Sequence, residues 1–153
     1  MIQKNPYMKP VVDFCHSIGV AVVRGAGGGN GGQEALDEME KLLTIEKRSI
    51  ILAVDGPSGP AFKMKKGAYV LAVRTGCPIV LTFYNCKVSQ EDTSRWDKRL
   101  IPSWRNEVLN VYESERYFVG EGESFDDVRE RIEGDYLKAE EMLRLRPIPD
   151  RQT

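Results

Sequence analysis

The sequence has little of what most enzymes use to move protons. Among 153 residues there is a single histidine, His16. No acid follows it within a few residues, and the helical spacing of Val12, Cys15 and Gly19 around it gives it a structural role. His16 is therefore a poor candidate for a general base. Cysteine is also scarce: Cys15, Cys77 and Cys86 are odd in number and lack metal-type spacing. This excludes a disulfide framework and a zinc site, and fits buried thiols in a reducing compartment. No stretch approaches the roughly 20 apolar residues of a membrane span, and the polar start Met1-Ile2-Gln3-Lys4-Asn5-Pro6 is no signal peptide. With 22 Lys and Arg against 23 Asp and Glu, the net charge is -1. No global field then recruits nucleic acid or acidic membrane, and any anion must be bound locally. The expected setting is the cytoplasm, either soluble or peripheral at the inner membrane face.

A chain this long can bury a real core, so one domain is expected over residues 1–146, with a loose tail over 147–153. Ile18 to Val23 is an apolar run ending at Arg24, and Gly25 to Gly32 holds six glycines in eight residues. From Gln33, the spacing of Ala35, Leu36, Met39, Leu42 and Leu43 is helical. This reads as strand, glycine-rich loop and helix. A second apolar run, Ser49 to Val54, reads as a strand buried on both faces. A basic loop (Lys63, Lys65, Lys66), a helix from Gly67 to Arg74 and a strand from Pro78 to Tyr84 follow. Residues 87–106 are polar and irregular, while Glu107–Glu113 and Tyr117–Val119 look like further strands. Ser124 and Asp127 open a helix reaching Leu145, with Phe125, Val128, Ile132 and Tyr136 on one face. Strands alternating with helices predict an α/β fold with a mainly parallel sheet flanked by helices.

The most informative segment is Val54-Asp55-Gly56-Pro57-Ser58-Gly59-Pro60, where a carboxylate falls at the end of an expected strand. Such ends commonly face the ligand crevice of open α/β sheets. Gly56 lets backbone approach a ligand, and Pro57 stiffens the turn. An ordinary Asp-Gly-Pro turn would look the same. Arg24 and Gly25, at the end of the other run, offer a guanidinium fork beside backbone N–H groups, suited to phosphate or carboxylate. The glycine loop also satisfies G-x-G-x-x-G, so a non-catalytic phosphate- or nucleotide-binding module on Gly25–Gly32 is the alternative reading. Trp96, Arg99, Ile101 and Trp104 with Lys63, Lys65 and Lys66 could meet a lipid headgroup layer; tryptophans capping the core fit equally well.

Taken in order, several motifs resemble one family. Val22-Val23-Arg24-Gly25, the glycine loop, Glu34-Ala35-Leu36, Asp55-Gly56-Pro57 with Gly59-Pro60, Lys66-Gly67, Leu71-Ala72, Thr75-Gly76-Cys77-Pro78-Ile79-Val80 and Trp96-Asp97-Lys98-Arg99-Leu100-Ile101-Pro102 are similar to an uncharacterised bacterial branch of the lysophospholipid acyltransferase-like superfamily. The resemblance implies a glycerol-phosphate acyltransferase-like fold that moves an acyl group from acyl-CoA or acyl carrier protein to a lysophospholipid or related hydroxyl acceptor. It implies no bound cofactor and no nucleic-acid partner. It assigns acceptor phosphate and glycerol to Arg24, Gly25, Asp55, Gly56 and Pro57, with Pro78-Ile79-Val80 in support.

Two departures stand out. The superfamily's catalytic His-x4-Asp has no counterpart here, so no catalytic residue is assigned and the chain is expected to be inactive by itself. Ser58 stands where this branch usually carries Arg, removing one anion donor. An amino-terminally shortened fragment and a degenerate homologue both fit.

Overall fold

The computed structural model describes residues 6–25, 31–56, 59–85, 88–94, 100–102 and 110–145. Pro57, Ser58, Cys86, Trp96, Arg99, Trp104, residues 26–30 of the glycine loop and the 147–153 tail lie outside the described residues. The chain divides into two compact units: residues 1–57 with 65–77, and residues 58–64 with 78–153.

Among its described residues the first unit holds three α-helices. After a 3-10 turn at Pro6–Met8, α1 spans Lys9–Ser17, with Pro10 in the first turn, where its missing N–H costs nothing. Gly19 closes it at φ 77°, a left-handed conformation that glycine adopts without a Cβ penalty. Val12 is buried, Cys15 is half-buried and His16 is exposed. Helix α2, Gly32–Thr44, places Glu34 in its first turn and Lys41 in its last, both favourable to the helix dipole. Helix α3, Lys66–Thr75, ends at Gly76, whose N–H donates to the Ala72 carbonyl at 2.9 Å. Val23, Ala35, Met39 and Leu71 form the buried core, with Leu36, Leu42, Leu43 and Ile50 packed against it.

The two apolar runs do not form the expected strands. Residues 20–23 and 47–53 carry no ladder, and Arg24 makes an isolated bridge. Nor is the second run buried on both faces: Ile50 packs on the core, but Ile51 is 90% exposed. Val23 and Ile50 spend their apolar surface in the core with α2 and α3, and among the described residues neither run has a ladder to join.

The second unit is built on an antiparallel pair, β1 (Ile79–Asn85) and β4 (Asn110–Tyr117). A second antiparallel pair joins β2 (Val88–Glu91) to β3 (Leu100–Pro102), within a stretch expected to be irregular. The molecule is thus mixed α and β, and among the described residues both sheets are antiparallel and two-stranded; a mainly parallel sheet is not shown.

The β1–β4 register slips once. Val80 pairs with Arg116 and Thr82 with Glu113, so Leu81 alone opposes Ser114 and Glu115, a β-bulge. Ser114 repairs the ladder with its side chain: Oγ accepts the Leu81 N–H at 2.8 Å and donates to the Glu115 carbonyl at 2.7 Å.

Helix α4, Phe125–Leu145, covers β1 and buries Val128 and Ile132. Its start is the expected capping box. Ser124 N–H and Oγ both donate to Asp127, and the Asp127 N–H donates back to Ser124 Oγ at 3.3 Å. Tyr136 lies between Phe62 and Phe83, with ring centroids 5.3 and 5.0 Å away. Among the described residues no helix is long and apolar enough to cross a membrane.

Candidate functional site

The candidate acceptor site lies in the first unit. Val54 and Asp55 form a turn closed by the Gly56 N–H donating to the Ala53 carbonyl at 3.3 Å. Gly56 has φ 71°, where a side chain would be strained. The N–H of Lys65 donates to the Val54 carbonyl at 2.7 Å, which ties the start of α3 to this turn.

Conformation, rather than space, is what calls for glycine at position 56. A Cβ built there would lie 3.7 Å from Lys65 Cγ and 4.0 Å from Cε, so the lysine stem runs across the glycine. Lys65 is the N-cap of α3 in an extended conformation; that helix has no side-chain cap and no acid in its first turn. Its first N–H groups and two exposed lysines, Lys65 and Lys66, therefore make this end electropositive.

Asp55 is half-buried at the edge of that positive end. Among the described residues its carboxylate makes no hydrogen bond and no ion pair. Arg24 is half-buried with its Nε shut away from solvent, and Gly25 is buried. Arg24 is engaged within the chain, though not with Asp55. The far end of the glycine loop enters α2 through Gly31 at φ 78°, again without a side-chain cap.

The geometry thus brings together Asp55, Gly56 and Lys65, and holds Arg24 and Gly25 in the same unit without a bond linking the two sets. Lys65 was visible in the sequence only as one of three basic loop residues. Its backbone bond to Val54 and its stem over Gly56 were not, because both depend on where α3 begins. Lys63 belongs elsewhere: its ammonium pairs with Glu133 at 2.8 Å in the second unit.

The thiols expected to be buried are not fully so, and His16, expected to be structural, is exposed. Cys15 and Cys77 are free and half-buried, and no group of three or more metal-ligating side chains gathers among the described residues. No protein-family model, no curated protein and no solved structure matches the chain.

Proposed function

We propose that the chain is an acyltransferase-like domain whose first unit supplies the subsite for a phosphate-bearing hydroxyl acceptor, such as a lysophospholipid or a glycerol phosphate. The observation that carries this reading is the half-buried Asp55 carboxylate, without a bond among the described residues, on the Gly56 turn beside the electropositive start of α3. Asp55 accepts a hydrogen bond from an acceptor hydroxyl. Arg24 with the Gly25 backbone holds the phosphate.

In this reading the acyl group comes from acyl-CoA or acyl carrier protein, and the chain needs no bound cofactor. Proton transfer from the acceptor hydroxyl requires a general base, and the 153 residues contain no His-x4-Asp pair to provide it. The work of this chain is therefore recognition, at the inner face of a membrane where lysophospholipid is presented. Acyl transfer by this polypeptide alone is expected to stay at background.

Calorimetric titration with glycerol 3-phosphate and with glycerol tests the division of labour. Arg24→Ala should weaken the phosphate ligand by about 1.5–3 kcal/mol and leave glycerol little changed. Asp55→Asn should impair both ligands through the hydroxyl while sparing affinity for inorganic phosphate. Equal losses for all ligands in both variants would sink the shared site. Saturable binding of ATP or NAD with no response to glycerol 3-phosphate would favour the nucleotide-binding alternative on Gly25–Gly32.

A further inference from the structure

The second unit contains a half-open pocket of about 190 Å³ between β1, β4 and α4, chemically unlike the acceptor site. Leu81 and Phe83, both buried, line it together with Ala139 and Met142 of α4. An enclosed apolar cavity of about 150 Å³ holds benzene, so by volume this pocket has room for one ring-sized body, with the exposed Met142 at its open side.

The polar lining is selective. Ser114 is spent on the β4 bulge, accepting from Leu81 and donating to Glu115. Tyr117 donates its hydroxyl to Asp135 Oδ2 at 3.2 Å. Burial, reinforced by Asp135, raises the phenol above its usual range, so it stays protonated and points its proton at the carboxylate. Asp135 Oδ1 meets Lys138 at 3.3 Å, and that lysine is largely in solvent. A carboxylate has about four lone-pair positions, so Asp135 retains capacity to accept.

The charged residues of the lining are Glu113 and Asp135, both acids. A ligand head that donates hydrogen bonds and carries positive charge therefore complements the site, and an anion is repelled. We propose that this pocket binds a small apolar amine, its ring-sized body against Leu81, Phe83, Ala139 and Met142 and its ammonium on Asp135. The site is independent of the phosphate-directed surface in the first unit.

Amide chemical-shift titration of the full chain with benzylamine, benzyl alcohol and benzoate decides the matter. Benzylamine should give saturable shifts confined to β1, β4 and α4, benzyl alcohol should bind roughly tenfold more weakly, and benzoate should not saturate. Asp135→Asn should bring benzylamine down to the level of benzyl alcohol. Ala139→Leu, which fills the pocket, should abolish binding of both. Absence of saturable benzylamine shifts, benzoate binding as well as benzylamine, or undiminished binding to folded Ala139→Leu would each overturn the proposal. The ranking of the three ligands on the unaltered chain stands even if a variant fails to fold.

Discussion

Glu133 on α4 accepts a 2.8 Å hydrogen bond from the backbone N–H of Met64, a residue only 4% exposed. The same carboxylate pairs with Lys63 at 2.8 Å. One helical acid thus organises the segment that carries Phe62 onto Tyr136. Glu133→Ala would leave a partly buried N–H without its acceptor, and should lower stability by about 1–3 kcal/mol in urea unfolding. Glu133→Gln keeps that acceptor and should lose less.

The same residue sets a pH dependence. Burial, the largest single influence, pushes the Glu133 carboxyl up, but the bonds from Lys63 and Met64 with the Lys63 and Arg129 charges outweigh it, and the net direction is below the ordinary 4.5. A carboxyl depressed by folding contributes stability that is complete above the unfolded value and fades as pH falls through the folded one. Asp127, held down by its bonds with Ser124, acts with the same sign. Stability should therefore drop as pH is lowered below about 4.5, and Glu133→Gln should flatten that decline. Urea midpoints between about pH 6 and about pH 3 would show it; an unchanged slope in the variant would contradict the assignment.

Ser114→Ala should be costlier than a serine on an exposed strand normally is. It strips the acceptor from the Leu81 N–H at a position where no ladder carbonyl replaces it, a loss of about 1–3 kcal/mol. Hydrogen exchange at Leu81 should accelerate more than at Phe83; equal rates in parent and variant would mean the side chain does not seal the bulge.

Gly56→Ala forces an L side chain to φ 71° and sets its methyl against the Lys65 stem. The contact is an ordinary van der Waals distance, so strain in the backbone is the larger cost, about 1–2 kcal/mol. Acceptor affinity should fall along with stability, since Asp55 is the neighbouring residue of the same turn. A variant as stable as the parent would show that the turn relaxes freely.

In the first unit, Met39→Ala and Arg74→Ala should differ sharply. Met39 is 1% exposed, and truncation should cost about 2–5 kcal/mol. Arg74 bridges Asp37 and Glu40 at 3.0 and 3.2 Å on the surface, where such pairs are worth about 1 kcal/mol or less and weaken with salt. Chemical unfolding with and without added salt separates the two.

Helices were legible where spacing and caps agree. The period of Ala35, Leu36, Met39 and Leu42 marked α2, and Ser124 with Asp127 fixed the start of α4, because both signals are local. Strand β1 was legible from its apolar run. The runs at residues 18–23 and 49–54 look equally strand-like, yet a ladder depends on a remote partner that no local pattern specifies. In the candidate site, the Asp55 turn was visible in its residue types, while the closure by Lys65 came only with tertiary structure. The Tyr117–Asp135 bond joins a strand to a helix, and nothing in either segment announces it.

The bulge at Ser114 acts as a phase shift in β4. Tyr112 and Ser114 share the half-buried side by ordinary alternation; the extra residue then resets the count, so that Tyr117 joins them while Glu115 and Arg116 both stay in solvent. This is why the segment reads as two strands interrupted near Ser114 rather than one. It also makes the strand sensitive to length in a way that substitution cannot mimic. Deleting Glu115 would leave Tyr112, Ser114 and Tyr117 in strict alternation with Glu113 and Arg116, so the bulge would vanish while Tyr117 kept its side and its partner Ile79. A single lost codon would thereby remove the bulge without turning over any side chain beyond it.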